Sequence, residues 1–136
     1  VIIDKTKALE LLDAAVAAEG EDKTVLVCNY FKEDGETPNC IVGHALSQIG
    51  VKLEDLRYND EFGIEEDAAR TLRRMNGMGV TAVRVEGVEI TTEAMRIFDT
   101  AQSVQDGRTN GVHDRSWGSA VRHAHLVGTN PEGEQA

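Results

Sequence analysis

The sequence predicts a mainly α protein: a compact bundle of about five helices with one or two short β-strands. Three observations carry this. Apolar residues recur at three- and four-residue spacing in several segments, each opened by a capping residue and most closed by glycine. One short run, TVLVCNYF, is instead β-branched and aromatic. The chain has 136 residues, 40% of them hydrophobic and 28% charged, which suits one soluble domain with a core of its own.

Residues 4–20 form the first helix, with Asp4 as cap, Gly20 as stop and Ala8, Leu9, Leu12, Ala15 and Val16 on one apolar face. Residues 24–31 are the strand, with Leu26, Cys28 and Tyr30 on one side and Val25, Val27 and Phe31 on the other. A turn around Gly35 follows. The second helix spans 37–50. Thr37 or Asn39 caps it, Pro38 lies in its first turn and Gly50 ends it, while Ile41, Val42, Ala45, Leu46 and Ile49 face inward.

A third helix is expected over 64–77, burying Ile64, Ala68, Ala69, Leu72 and Met75. Residues 80–91 read either as a small hairpin turning at Glu86-Gly87 or as an extended lead into the next helix. The fourth helix covers 91–107, with Met95, Ile97, Phe98, Ala101 and Val104 inward and Gly107 as stop. The fifth covers 114–128, capped by Asp114, with Trp117, Ala120, Val121 and Ala124 buried. Residues 1–127 thus read as a single domain and 128–136, GTNPEGEQA, as a flexible polar tail.

The net charge of −10 argues against direct nucleic-acid binding, which draws its affinity from Lys and Arg on phosphates. It permits a basic protein partner or mimicry of DNA charge, although the acids are dispersed rather than striped. No apolar run approaches the roughly 18 residues of a membrane helix. The opening VIIDKTKALELL shows no apolar stretch behind a basic flank, so a cytoplasmic location is expected. Two cysteines make no disulfide framework.

Chemistry concentrates at Cys28, Cys40 and His44. Zinc wants four Cys or His ligands; these supply three, and the fourth would come from His113, His123 or His125, with no finger-like spacing. A thiol enzyme would use Cys40, whose pKa a helix N-terminus lowers, with His44 one turn on. No residue orients that His and no oxyanion motif accompanies it. The bland alternative packs both sulfurs in the core where strand meets helix, reduced and metal-free. Arg70, Arg73 and Arg74 share a face of the third helix and suit either an anion or an interface, or else pair with Glu66 and Asp67. Glycine-rich nucleotide-binding patterns are absent, and no cofactor is expected.

PNCIVGHALSQIGV (38–51) and AQSVQDG…WGSAV (101–107 and 117–121) together resemble a group of small uncharacterised proteins of actinobacteria and their phages. The matching residues are Cys40, Ile41, Val42, Gly43 and His44, then Ala101, Gln102, Gln105, Asp106, Trp117, Gly118 and Ala120. The resemblance runs from about residue 5 to about residue 126, and RTNGVHDRS (108–116) is inserted between the halves of the later motif. It implies a small cytoplasmic, phage-encoded protein and carries over no activity.

The expected function is a non-enzymatic binding module, a phage accessory protein engaging a host factor. The alternatives are a small zinc or thiol enzyme built on Cys28, Cys40 and His44, and an acidic DNA-mimicking inhibitor. A homodimer is expected as well, because the strand at 24–31 is apolar on both faces.

Overall fold

The computed structural model describes residues 1–25, 31–32, 34, 36–59, 65–66 and 83–129. Among these the chain is mainly helical, with four helices: α1 (Lys5–Glu19), α2 (Ile41–Ser47), α3 (Thr92–Gln105) and α4 (Trp117–Thr129). α1 packs against the other three, and α3 packs on both α2 and α4. The buried side chains join in one cluster, whose largest members are Trp117, Phe31, Phe98, Ile3, Leu12 and Ile41.

Local chemistry explains the helix ends. The Asp4 carboxylate accepts from Lys7 N at 2.9 Å, and Gly20, at φ 101°, closes α1 by donating its N–H to Val16 O at 2.7 Å. Thr91 caps α3 by accepting from Ala94 N at 3.1 Å. α2 departs from expectation. Its cap is Cys40, not Thr37 or Asn39, and it spans only seven residues. Thr37 and Pro38 are occupied elsewhere: Asp34 accepts from Thr37 N at 2.8 Å, and Pro38 bridges Phe31. Asp34 also accepts from the Thr37 hydroxyl and from Glu36 N, and these donors hold its carboxyl down at about 2.

α4 is capped by Ser116 rather than by Asp114. The Ser116 hydroxyl accepts from Ser119 N at 3.2 Å, while Asp114 supports Ser116 N at 3.0 Å. The first N–H groups of α4 reach the segment that follows α1: Trp117 N donates to Lys23 O and Gly118 N to Glu21 O, both at 2.9 Å. A Cβ on Gly118 would lie 3.0 Å from Glu21 Cβ and 3.1 Å from Glu21 O, a tight fit in which Glu21 would have to give by a few tenths of an ångström. α4 also runs past residue 127, with Gly128 buried; 130–136 lie outside the described residues.

The strand content is larger than expected, in very short pieces. β1 (Ile2–Ile3) pairs in parallel with β5 (Glu89–Ile90), placing Ile3 opposite Ile90. β2 (Leu56–Asn59) is central to a second sheet, antiparallel to β3 (Glu65–Glu66) and β4 (Val83–Val85). The turn at Glu86-Gly87 stands where the sequence puts it, with Gly87 at φ 77°. Its arms do not form a hairpin: β4 joins β2 and β5 joins β1. The helix expected over 64–77 is replaced at Glu65–Glu66 by strand β3. Residues 67–77 of that expectation lie outside the described residues, as does most of the strand expected over 24–31. Among the described residues, no helix is long and apolar enough to cross a membrane.

Candidate functional site

The two sequence motifs meet in space. Gln105, near the end of α3, places its amide oxygen 2.7 Å from Ile41 N, so a side chain 64 residues away caps the first turn of α2. The other half of that amide donates to Asp106 at 3.0 Å, and Gln102 Nε2 donates to both Asp106 oxygens at 3.1 and 3.2 Å. Arg108 lies 3.4 Å from the same carboxylate, which is almost wholly buried. Gly107 turns the chain at φ 74°, and Arg115 packs over it, its Nε donating to Gln105 O at 3.1 Å. Each residue of the Gln-Asp-Gly motif therefore has a folding duty. This region is a joint between α2 and α3.

Cys40 stands at the edge of the joint, fully buried, a free thiol whose sulfur accepts from Gly43 N at 3.4 Å. Burial pushes this thiol up to about 12, Gly43 N–H pulls the other way, and the Asp106 carboxylate adds to the rise. The helix-terminus argument from sequence gives the opposite direction; desolvation outweighs it. Cys40 is expected to resist thiol reagents. In a Cys28→Ser variant, Ellman's reagent should react at pH 8 only after denaturant is added. Full reaction in the native protein would contradict the buried geometry.

His44 serves a different corner. Its Nε2 lies 3.4 Å from Glu19 Oε1, and its ring meets Trp117 edge-on, centroids 5.5 Å apart at 70°. Burial holds the imidazole below its ordinary range, against the opposing pull of Glu19. Lys23 pairs with Glu19 and sits 4.9 Å over the indole, roofing the tryptophan with a cation–π contact. The Lys23 hydrogen bond and charge lower Glu19 in turn. Trp117 is fully buried, as its place in the last helix predicts.

The proposed fourth ligands point elsewhere. His123 bonds Ser119 O of its own helix at 2.8 Å, His125 bonds Asp13 at 2.8 Å, and His113 is exposed. Among the described residues, no group of three or more His, Cys, Asp and Glu is placed to hold a metal. Cys28, Arg70, Arg73 and Arg74 lie outside the described residues.

The site that the sequence reading missed is a groove of about 780 Å³ along the seam of α1 and α4. On one side it is lined by Asp13, Val16, Ala17, Gly20 and Glu21. On the other stand Gly118, Val121, Arg122, His125, Leu126 and Thr129. Asp13, Val16 and Ala17 share one face of α1, which Gly20 and Glu21 extend past its end, and the α4 residues recur at three- and four-residue spacing as one stripe. Leu126 stands on the lip, 65% exposed. The Asp13–His125 pair at 2.8 Å ties the two walls together, and Arg122 pairs with Asp114 at 3.7 Å. One signal was present in the sequence: AAVAAE in α1 is small and apolar around the helix, leaving Ala14, Ala17 and Ala18 in solvent opposite the core face.

No protein-family model, curated protein or solved structure matches the chain.

Proposed function

We propose that the chain is a non-enzymatic protein-binding module whose α1–α4 groove receives an apolar helix face. The observation that carries this reading is the groove itself: small residues in its lining, an exposed leucine beside them and ion pairs at Asp13–His125 and Arg122–Asp114. That combination, an apolar stripe with a charged border, is how grooves take amphipathic helices. The volume also lies within the ordinary range for ligand sites. If the chain is phage-encoded, as the motif resemblance implies, a host factor is the natural partner. The thiol-enzyme alternative draws no support from Cys40, whose buried sulfur is protonated near neutral pH. The DNA-mimic alternative rests on net charge alone.

The test compares two baits, wild type and Leu126→Asp. The exposed position makes the variant harmless to the fold, so its melting curve should match wild type within about 0.5 kcal/mol. Proteins retained by wild type should be lost on the variant. Equal recovery on both baits would remove the groove as the binding surface, and turnover of a small molecule would overturn the non-enzymatic reading.

A further inference from the structure

We infer that Asn110-Gly111, in the loop joining α3 to α4, is a site of spontaneous deamidation, a self-modification whose nucleophile is the chain's own Gly111 backbone nitrogen. The reaction closes a ring between that nitrogen and the asparagine side chain. It needs an unbonded N–H to attack, an unbonded amide to turn towards it, and a backbone that can rotate between them. Glycine in the second position serves the first and third, because no side chain crowds the nitrogen or restricts the turn.

The loop meets all three needs. Asn110 and Gly111 are both exposed. Neither the Asn110 amide nor the Gly111 N–H has a hydrogen-bond partner among the described residues. Gly111 stands at φ 80°, and a Cβ built on it would meet nothing within 4 Å. The turn is closed by Val112 N donating to Thr109 O at 3.3 Å, a long bond in water that costs little to open. Four residues earlier, Asp106-Gly107 offers the same ring closure and is locked against it. The Asp106 carboxylate is held by the Gln102 and Gln105 amides, and Gly107 N donates to Val104 O at 3.1 Å.

Hydroxide removes the Gly111 N–H proton, and the nitrogen bonds to Asn110 Cγ. The Cγ–Nδ2 bond breaks and Nδ2 leaves as ammonia, taking a proton from water and restoring the hydroxide. Water then opens the cyclic imide. Cleavage at Cγ gives aspartate; cleavage at the original backbone carbonyl gives isoaspartate, whose main chain is one carbon longer. One water is consumed, one ammonia is released and nothing is oxidised. The formal net charge moves from −10 to −11.

The test incubates the full chain beside a synthetic peptide of residues 109–115 at neutral pH and body temperature. Trypsin, used at mildly acid pH, then releases Thr109–Arg115, in which Asn110 is the sole asparagine. The sequence has one other Asn-Gly pair, Asn76-Gly77, which lies outside the described residues and falls in a different peptide, Met75–Arg84. Mass spectrometry should show Thr109–Arg115 exchanging an amide for an acid, with both aspartate and isoaspartate products. Its rate should lie within about tenfold of the free peptide's, because a loop that opens at almost no free-energy cost gives little protection. Asn110→Gln, whose closure needs a larger ring, should abolish the change on the same timescale. A native Thr109–Arg115 that stays intact after the free peptide has converted overturns the inference. So does conversion confined to Met75–Arg84. Aspartate without isoaspartate would show direct hydrolysis and overturn the role of Gly111 N.

Discussion

Replacing Trp117 by Ala is expected to cost about 3–5 kcal/mol of folding stability, the range for removing a fully buried large aromatic. Two effects combine. The indole returns its apolar surface to water when the chain unfolds, and its loss leaves a cavity that the surroundings fill only in part. Those surroundings are held from several directions. His44 of α2 meets the ring edge, Lys23 covers it, and the Trp117 backbone N–H is tied to Lys23 O. Neighbours so constrained cannot collapse freely. Trp117→Phe separates packing from hydrogen bonding. The indole Nε1 is buried with no partner among the described residues, so phenylalanine forfeits no hydrogen bond. Its cost should be less than half that of alanine. Trp117 is the sole tryptophan, so unfolding in urea is best followed by circular dichroism. A loss below about 1 kcal/mol for alanine would show that the last helix is not anchored through this ring.

Much of the helical frame was legible. α1 and α3 are long, periodic and punctuated by Asp4, Gly20, Thr91 and Gly107, and both appear where those signals stand. α4 was placed correctly apart from its cap and its end. The strands were not legible, because pieces of two to four residues have no period to detect. Glu65 and Glu66 are good helix formers, yet they pair with Asn59 and Tyr58; tertiary pairing overrides intrinsic propensity. The cap of α2 was misplaced because Ile41 N is satisfied by Gln105, a partner that no local window contains. The groove was invisible for a related reason. Ala17, Gly20 and Leu126 are unremarkable singly and form a surface only when α1 and α4 lie side by side. The contact between residues 38–51 and 101–107 was not legible either, since it is made by Gln105 reaching Ile41 N.

That contact supplies the second large effect. Gln105→Leu is expected to cost about 2 kcal/mol or more, since it leaves two buried groups short of partners at about 1–3 kcal/mol each. Ile41 N loses its acceptor at 2.7 Å, and Asp106 loses a donor at 3.0 Å. Leucine has a similar volume, so little of the cost is cavity. Gln105→Glu dissects the two roles. It keeps an acceptor for Ile41 N but sets a second carboxylate against Asp106, which raises the new acid's folded-state pKa above its unfolded value of about 4.3. The unfolded chain then releases that proton first as pH rises. The variant's deficit relative to wild type should therefore be small near pH 4.5 and grow towards pH 7.5, whereas the leucine deficit should change little between the two. Urea titrations of all three proteins at both pH values provide the measurement. A leucine variant within about 0.5 kcal/mol of wild type would mean that the joint between α2 and α3 does not depend on this amide. A glutamate deficit that shrinks as pH rises would show that the Asp106 carboxylate does not face residue 105 as the geometry has it.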